Sequence, residues 1–349
     1  MQGGQMLMKL FLKSCIQTFT NKPFYSYLIL ACFLLLTLFL VSISSGASKL
    51  SFRDTWNYIL FQKGNTFTHN ILLYVRLPRS IAAMICGSSL ALAGLLLQAV
   101  LNNALASSST IGVNAGAGLF VVLAGLLFPG TFFMKPIFAF IGSLTTALLV
   151  FLIAKKSEVT RGGIILIGIA IASFFSAISD SLITLFPDRI FDKTTFFIGG
   201  FAHVQIQSVL FLLPFMLFCF LLVILLSSNM NILSLGDEVA NSLGLHVTRY
   251  RFTLLILAAT LAGIGVSIGG VLSFVGLIIP HTMRMITGNN YRKLVPLTFF
   301  YGAILVLLCD VLSRIIFAPY EVSVGILLSF LGAPFFLYIV LTKKRRLQI

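Results

Sequence analysis

Residues 78–100 read PRSIAAMICGSSLALAGLLLQAV, a stretch in which Arg79 is the only charged residue. A helix rising about 1.5 Å per residue over such a run spans a bilayer hydrocarbon core of about 30 Å. The run is one of many. Of 349 residues, 58% are hydrophobic and 9% charged, with 34 phenylalanines and a single tryptophan, whereas a water-soluble domain carries roughly 25% charged residues. The composition therefore specifies an all-α polytopic membrane protein. Breaks at Pro, Gly and charge divide it into about ten transmembrane helices, near 26–46, 78–100, 111–129, 135–154, 163–186, 207–227, 250–270, 272–287, 295–316 and 323–341. Most links between them are short and polar, so residues 1–349 form a single transmembrane domain. The longer links are 47–77, 187–206 and 228–249.

The net charge of +15 is not a nucleic-acid footprint, because the 24 basic residues sit in short clusters between apolar runs instead of along one face. They set topology. With the N-terminus inside, fifteen of the 24 fall on the cytoplasmic side, including Lys9, Lys13, Lys22 and the KKRR of 343–346 in the basic tail 342–349. This excess places both termini in the cytoplasm. The first apolar run has a basic lead like that of a secretory signal, but its near-spanning length favours an uncleaved first helix. Five cysteines (Cys15, Cys32, Cys86, Cys219, Cys309) and four histidines are scattered without metal-ligand spacing, and the cysteines read as packing residues.

Arg76 and Arg79, in YVRLPRS (74–80), run against the charge rule: they lie at the outer mouth of a membrane helix, with Lys49, Arg53 and Lys63 in the link before them. Two readings remain. Their guanidinium groups snorkel to lipid phosphates, or they form a docking site for an acidic partner. Asp310 and Arg314, four apart with the acid first, have the spacing of a helical ion pair near the same outer end. Asp180 has no evident partner and is a functional-site candidate by its intramembrane position.

In GLLLQAVLNNALASSSTIGVNAGAG (94–118) a Leu-rich helix gives way to a polar bend containing Asn102, Asn103 and Ser107–Ser109. Glycines follow it at a spacing suited to close helix contact. Non-helical backbone at membrane depth persists only where buried or lining a wet cavity, so Asn102, Asn103, Leu105 and Ser107 are candidates for a pathway or gate. GIGVSIGG (263–270) follows no strand and reads as helix packing, not a dinucleotide loop. LSLGDEVANSLGLHVTRYR (233–251) contains a short amphipathic helix with Asp237 and Glu238 in its first turn and Val239, Leu243 and Leu245 as its apolar set. Two turns of helix are not stable alone, so this one rests on its own membrane domain, on lipid or on a cytoplasmic partner. There is no GxxxxGK[ST] loop, no HExxH and no nucleophile elbow, so the chain has no ATPase site or catalytic residues of its own.

These segments in order resemble the FecCD-type permeases, the membrane subunits of ABC importers for iron(III) siderophores, haem and vitamin B12. The matching residues are RLPR (76–79) with the helix after it, GVNAGAG (112–118), LGDEVANSLG (235–244), and SFVGLIIPHTMR (273–284) with GAP (332–334). The resemblance covers nearly the whole chain. It implies a type II ABC importer permease in a bacterial plasma or inner membrane, working as a homodimer or with a paralogous second permease chain. The other implied partners are a cytoplasmic ATPase dimer that binds ATP and magnesium and an extracytoplasmic substrate-binding protein that delivers a metal chelate. No cofactor is implied in this chain. Arg76, Arg79 and Arg314 correspond to binding-protein docking cations. Gly236, Asp237, Glu238, Ala240, Leu243 and Gly244 fall in the helix that couples to the ATPase, and Asn103 and Leu105 in the cytoplasmic gate. The chain departs from the family in NALASSS, where prolines are usual, and in TTFFIGGF (194–201), where phenylalanines replace a customary tryptophan. The rival reading is a self-contained proton-coupled secondary transporter with Asp180, Asp310 and His281 as relay.

Overall fold

The computed structural model describes residues 24–45, 66–109, 111–129, 131, 134–156, 161–187, 193–202, 204–316, 318 and 320–346. The expected segments are helical, and short helices also form within the links 47–77 and 187–206, giving α1 (Phe24–Ser44), α2 (Thr66–Ile71), α3 (Leu77–Leu101), α4 (Val113–Leu127), α5 (Met134–Lys156), α6 (Arg161–Leu185) and α7 (Lys193–Ile198). They continue as α8 (Ile206–Leu233), α9 (Asp237–Ser242), α10 (Val247–Gly269), α11 (Val275–Thr287), α12 (Tyr291–Ile315) and α13 (Val324–Arg346). Among the described residues seven spans are long and apolar enough to cross a membrane, while the helices at Val113–Leu127 and Val324–Leu337 are apolar but shorter.

The links differ from the sequence reading. The end of 47–77 is helical, because α2 continues through a π-type turn at Leu72–Arg76 into α3. Pro78 does not break it, since it lies just past the π-type turn, where the hydrogen-bond register shifts and Leu77 N–H donates to Leu72 O. Helix α8 runs past 227 to Leu233, and α13 runs past 341 to Arg346. Lys49, Arg53, Lys63, Arg189, Cys15, His203 and the N-terminal lysines lie outside the described residues.

Helix α3 is the axis of the bundle: 89% of its best apolar window is buried, against 11% for α6. Its burial follows from small residues. A Cβ on Gly94 would stand 2.1 Å from the Gly276 carbonyl oxygen, so α3 and α11 meet backbone to backbone. Lipid offers no hydrophobic drive between helices, and such contact replaces it. The 263–270 glycines have the packing role expected of them, with Gly265 against Leu90 and Gly269 against Cys86.

Candidate functional site

At the N-terminal end of α3 the three arginines come together and are buried: Arg76 is 3% exposed, Arg79 7% and Arg314 2%. Arg79 Nε donates to Asp310 Oδ1 at 2.8 Å and its Nη1 to Glu321 Oε2 at 2.7 Å. The expected helical pair is present, with Arg314 Nη2 2.8 Å from Asp310 Oδ2. Arg314 also donates from Nη1 to the carbonyls of Ser42 (3.0 Å) and Ser45 (2.9 Å), and Arg76 Nη1 donates to Ile43 (2.8 Å) and Ser44 (3.0 Å). These carbonyls are the unsatisfied last turn of α1, where the helix dipole leaves partial negative charge. Neither sequence reading anticipated this. The arginines are held against the end of another helix, and among the described residues the carboxylates they meet are the buried Asp310 and Glu321, whose side chain is 35% exposed.

Below this cluster the backbone is irregular where α7 meets the link between α10 and α11. Val271 N–H donates to Phe196 O (3.0 Å), Gly200 N–H to Gly269 O (2.9 Å) and Gly325 N–H to Gly199 O (3.2 Å). An open cleft of about 600 Å³ follows, lined among others by Phe197, Val271, Ser273, Ser329 and Phe330. Of the phenylalanines of TTFFIGGF, Phe197 stands on its wall, while Phe201 is buried in the core. Phe274, the next residue along, is left-handed at φ 68°, a rare conformation for a bulky side chain. Its ring occupies the notch left by Gly332, where any Cβ would collide with it.

One turn further along α11 the gap narrows to about 10 Å³ between Ala104, Leu105, Leu277, His281, Phe335 and Phe336. Leu105 lies on the expected bend. Helix α3 ends at Asn102 in the left-handed conformation (φ 46°), which asparagine tolerates. Asn103 Oδ1 then accepts from Leu105 N–H at 2.9 Å, closing a side-chain turn without proline. Ser107 is buried and its Oγ lies 2.8 Å from that of Ser109. Gln98, which the sequence reading passed over, joins this end of α3 to α11. Its Nε2 donates to Gly276 O at 3.1 Å, and its Oε1 accepts from Arg284 Nη1.

On the side of the bundle where α8 ends, α9 lies with Ala240 fully buried and Asp237 paired to Arg251 at 2.6 Å. Gly236 (φ 108°) and Gly244 (φ 82°) form its two turns. Glu238 is exposed. The apolar set is split: Leu245 packs half-buried against the core, whereas Val239 and Leu243 are 44% and 61% exposed. Leu235, just before the turn at Gly236, is also 62% exposed. Helix α6 carries a second unexpected face, where Ser173, Ser176, Ala177, Asp180, Ser181 and Thr184 are all exposed. Asp180 alone was legible in the sequence. The hydroxyls were missed because serine and threonine are common and tolerated in membrane helices.

A model of the FecCD transport family matches residues 34–342. The chain belongs to the FecCD transport family. It is 35% identical over 308 residues to the Fe(3+)-citrate import system permease protein YfmD of Bacillus subtilis, covering 88% of this chain and 92% of that protein. Identity is 33% over 340 residues to the iron(3+)-hydroxamate import system permease protein FhuG of B. subtilis, covering 93% and 99%. It is 34% over 325 residues to the probable heme-iron transport system permease protein IsdF of Staphylococcus aureus strain Newman, covering 93% and 98%. Among solved structures, an ABC transporter in an inward-facing conformation, assigned to the metal-chelate type, superposes with a TM-score of 0.79 at 29% identity, covering 90% of this chain and 98% of that one. PsaBC from Streptococcus pneumoniae, in complex with Fab, shares the fold at a TM-score of 0.57 and 18% identity, covering 78% and 93%. The family is one of multi-span membrane permeases, and family membership places this one in a bacterial membrane.

Proposed function

We propose that this chain is the permease subunit of a binding-protein-dependent ABC importer for iron(III) chelates, with iron-siderophores as the substrate class. In this reading both termini are cytoplasmic. ATP and magnesium are bound by a separate ATPase pair, and a second permease chain, identical or paralogous, faces the cleft beside Phe330 and the hydroxylated face of α6. Asn102, Asn103, Leu105 and Ser107 belong to the gate, which closes against Phe335 and Phe336.

The observation that carries the proposal is the uncovered Val239 of α9 with Leu235 and Leu243 exposed at its two ends. A short helix pinned by Ala240 and the Asp237–Arg251 pair, with large apolar side chains exposed on it and beside it, is suited to seat in a partner's groove. A helix so attached shifts the permease only through contacts that differ between two packings, and α9 is joined directly to α8 and α10. At the outer end, Arg76, Arg79 and Arg314 belong to the docking site for the binding protein, with Glu321 and the end of α1 as the surface they hold in place. Of the proton-relay residues, Asp310 is committed to two arginines, which favours the importer over the secondary transporter.

The test is reconstitution in vesicles with the cognate ATPase and binding protein, following uptake of radiolabelled iron-siderophore beside haem and cobalamin. Uptake that needs all three components supports the proposal. Accumulation against a gradient by this chain alone refutes it.

A further inference from the structure

Helices α5 and α8 each pack on α10 yet scarcely touch one another. A cleft of about 230 Å³ therefore opens between them, with Ile264 of α10 as its floor and Pro136, Ile137, Phe140, Ser208, Phe211, Leu212 and Phe215 as its lining. Its wall residues on α5 lie in the first two turns, and those on α8 in the first three turns, so it enters from one membrane interface. Phe211 and Phe215 are 49% and 52% exposed, with ring centroids 5.4 Å apart. The lining is almost wholly apolar, with the Ser208 hydroxyl in the first turn of α8. An apolar cavity of about 150 Å³ already takes up benzene and excludes water, and an open cleft within the hydrocarbon layer meets acyl chains before anything else. Lys135, half-buried in the first turn of α5, directly precedes the lining Pro136. Helices α5 and α8 both begin here, adding the partial positive charge of two N-termini.

We propose that this cleft is a binding site for one membrane phospholipid with an anionic headgroup, its acyl chain between Phe140 and Phe215 and its phosphate beside Lys135. The dispersion contacts that a void would forfeit are restored by the chain, and the lipid fills the gap between α5 and α8 over α10. The site rests on the chain being membrane-embedded and not on the importer reading.

The test is photo-crosslinking in nanodiscs with a phosphatidylglycerol carrying a mid-chain diazirine, mapped by peptide mass spectrometry. Adducts are expected within 136–140 and 208–215. Unlabelled phosphatidylglycerol should displace them several-fold better than phosphatidylcholine. Ser208→Phe, which fills the mouth from a half-buried position, should lower the yield at least fivefold, and Lys135→Gln should abolish the headgroup preference while keeping adducts. The wild-type competition needs no variant to fold. Adducts spread evenly over other exposed positions such as Leu217 and Leu221 would overturn the proposal. So would indifference to headgroup or to Ser208→Phe, or adducts prevented by a second copy of the chain on this face.

Discussion

Replacing Asp310 by alanine removes the fully buried carboxylate that stands between two nearly buried guanidinium groups, Arg79 at 2.8 Å and Arg314 at 2.8 Å. Glu321 remains, but it reaches only Arg79 and its side chain is 35% exposed. Among the described residues the variant therefore keeps one partly exposed acid beside the three buried arginines. Breaking a buried pair by removing one partner costs about 3–5 kcal/mol, because an uncompensated charge is left behind. The Arg79–Glu321 pair, open to solvent on its Glu321 side, falls nearer the about 0–1 kcal/mol of an exposed pair. Asp310→Ala should thus lower the unfolding free energy in detergent or bicelles by about 3–5 kcal/mol, and Glu321→Gln by about 1 kcal/mol or less. In the double variant Asp310→Ala/Arg314→Met the unpaired charge goes as well, and much of the loss should be recovered. The assay is reversible unfolding followed by the near-ultraviolet signal, with binding-protein affinity measured on the folded fraction. Equal small losses from Asp310→Ala and Glu321→Gln would refute the reasoning, as would a double variant no more stable than Asp310→Ala. Either result would mean that the cluster is not held by this carboxylate.

Three other outcomes follow from the geometry. Gly94→Ala puts a methyl 2.1 Å from the Gly276 carbonyl oxygen, backbone against backbone, and should cost about 1–3 kcal/mol or more as overpacking, read as a lowered unfolding midpoint, whereas alanine at Gly236, where no atom lies within 4 Å, meets only the strain of its positive φ. Leu243→Asp, on a side chain 61% exposed, should leave the unfolding midpoint within about 0.5 kcal/mol while lowering substrate-stimulated ATPase activity of the assembled complex at least tenfold. Asn114 is buried with neither amide atom hydrogen-bonded, a state that costs about 1–3 kcal/mol, so Asn114→Leu should raise stability; a fall would reveal that the amide is satisfied by bound water.

Composition and periodicity determined that this chain is helical, that it crosses a membrane many times, and where each long helix lies to within a few residues. The reason is that lipid forces every backbone polar group into a helix, so an apolar run of spanning length has little choice of structure. The short helix at 237–242 and the polar bend at 102–109 were legible for the converse reason, since polar residues and glycines at those positions do not continue a membrane helix. Beyond the Asp310–Arg314 pair, sequence alone did not show what Arg76, Arg79 and Arg314 touch. Their partners on α1 lie more than thirty residues away for Arg76 and 269–272 away for Arg314, and pairing across such distances depends on how helices cross. The same holds for the Gln98–Arg284 link, for the notch that Gly332 gives Phe274, and for the outward turn of Val239 and Leu243. A helix announces its period in its residues, but which of its faces finds a neighbour is decided only when glycines such as Gly94 and Gly276 let the backbones meet.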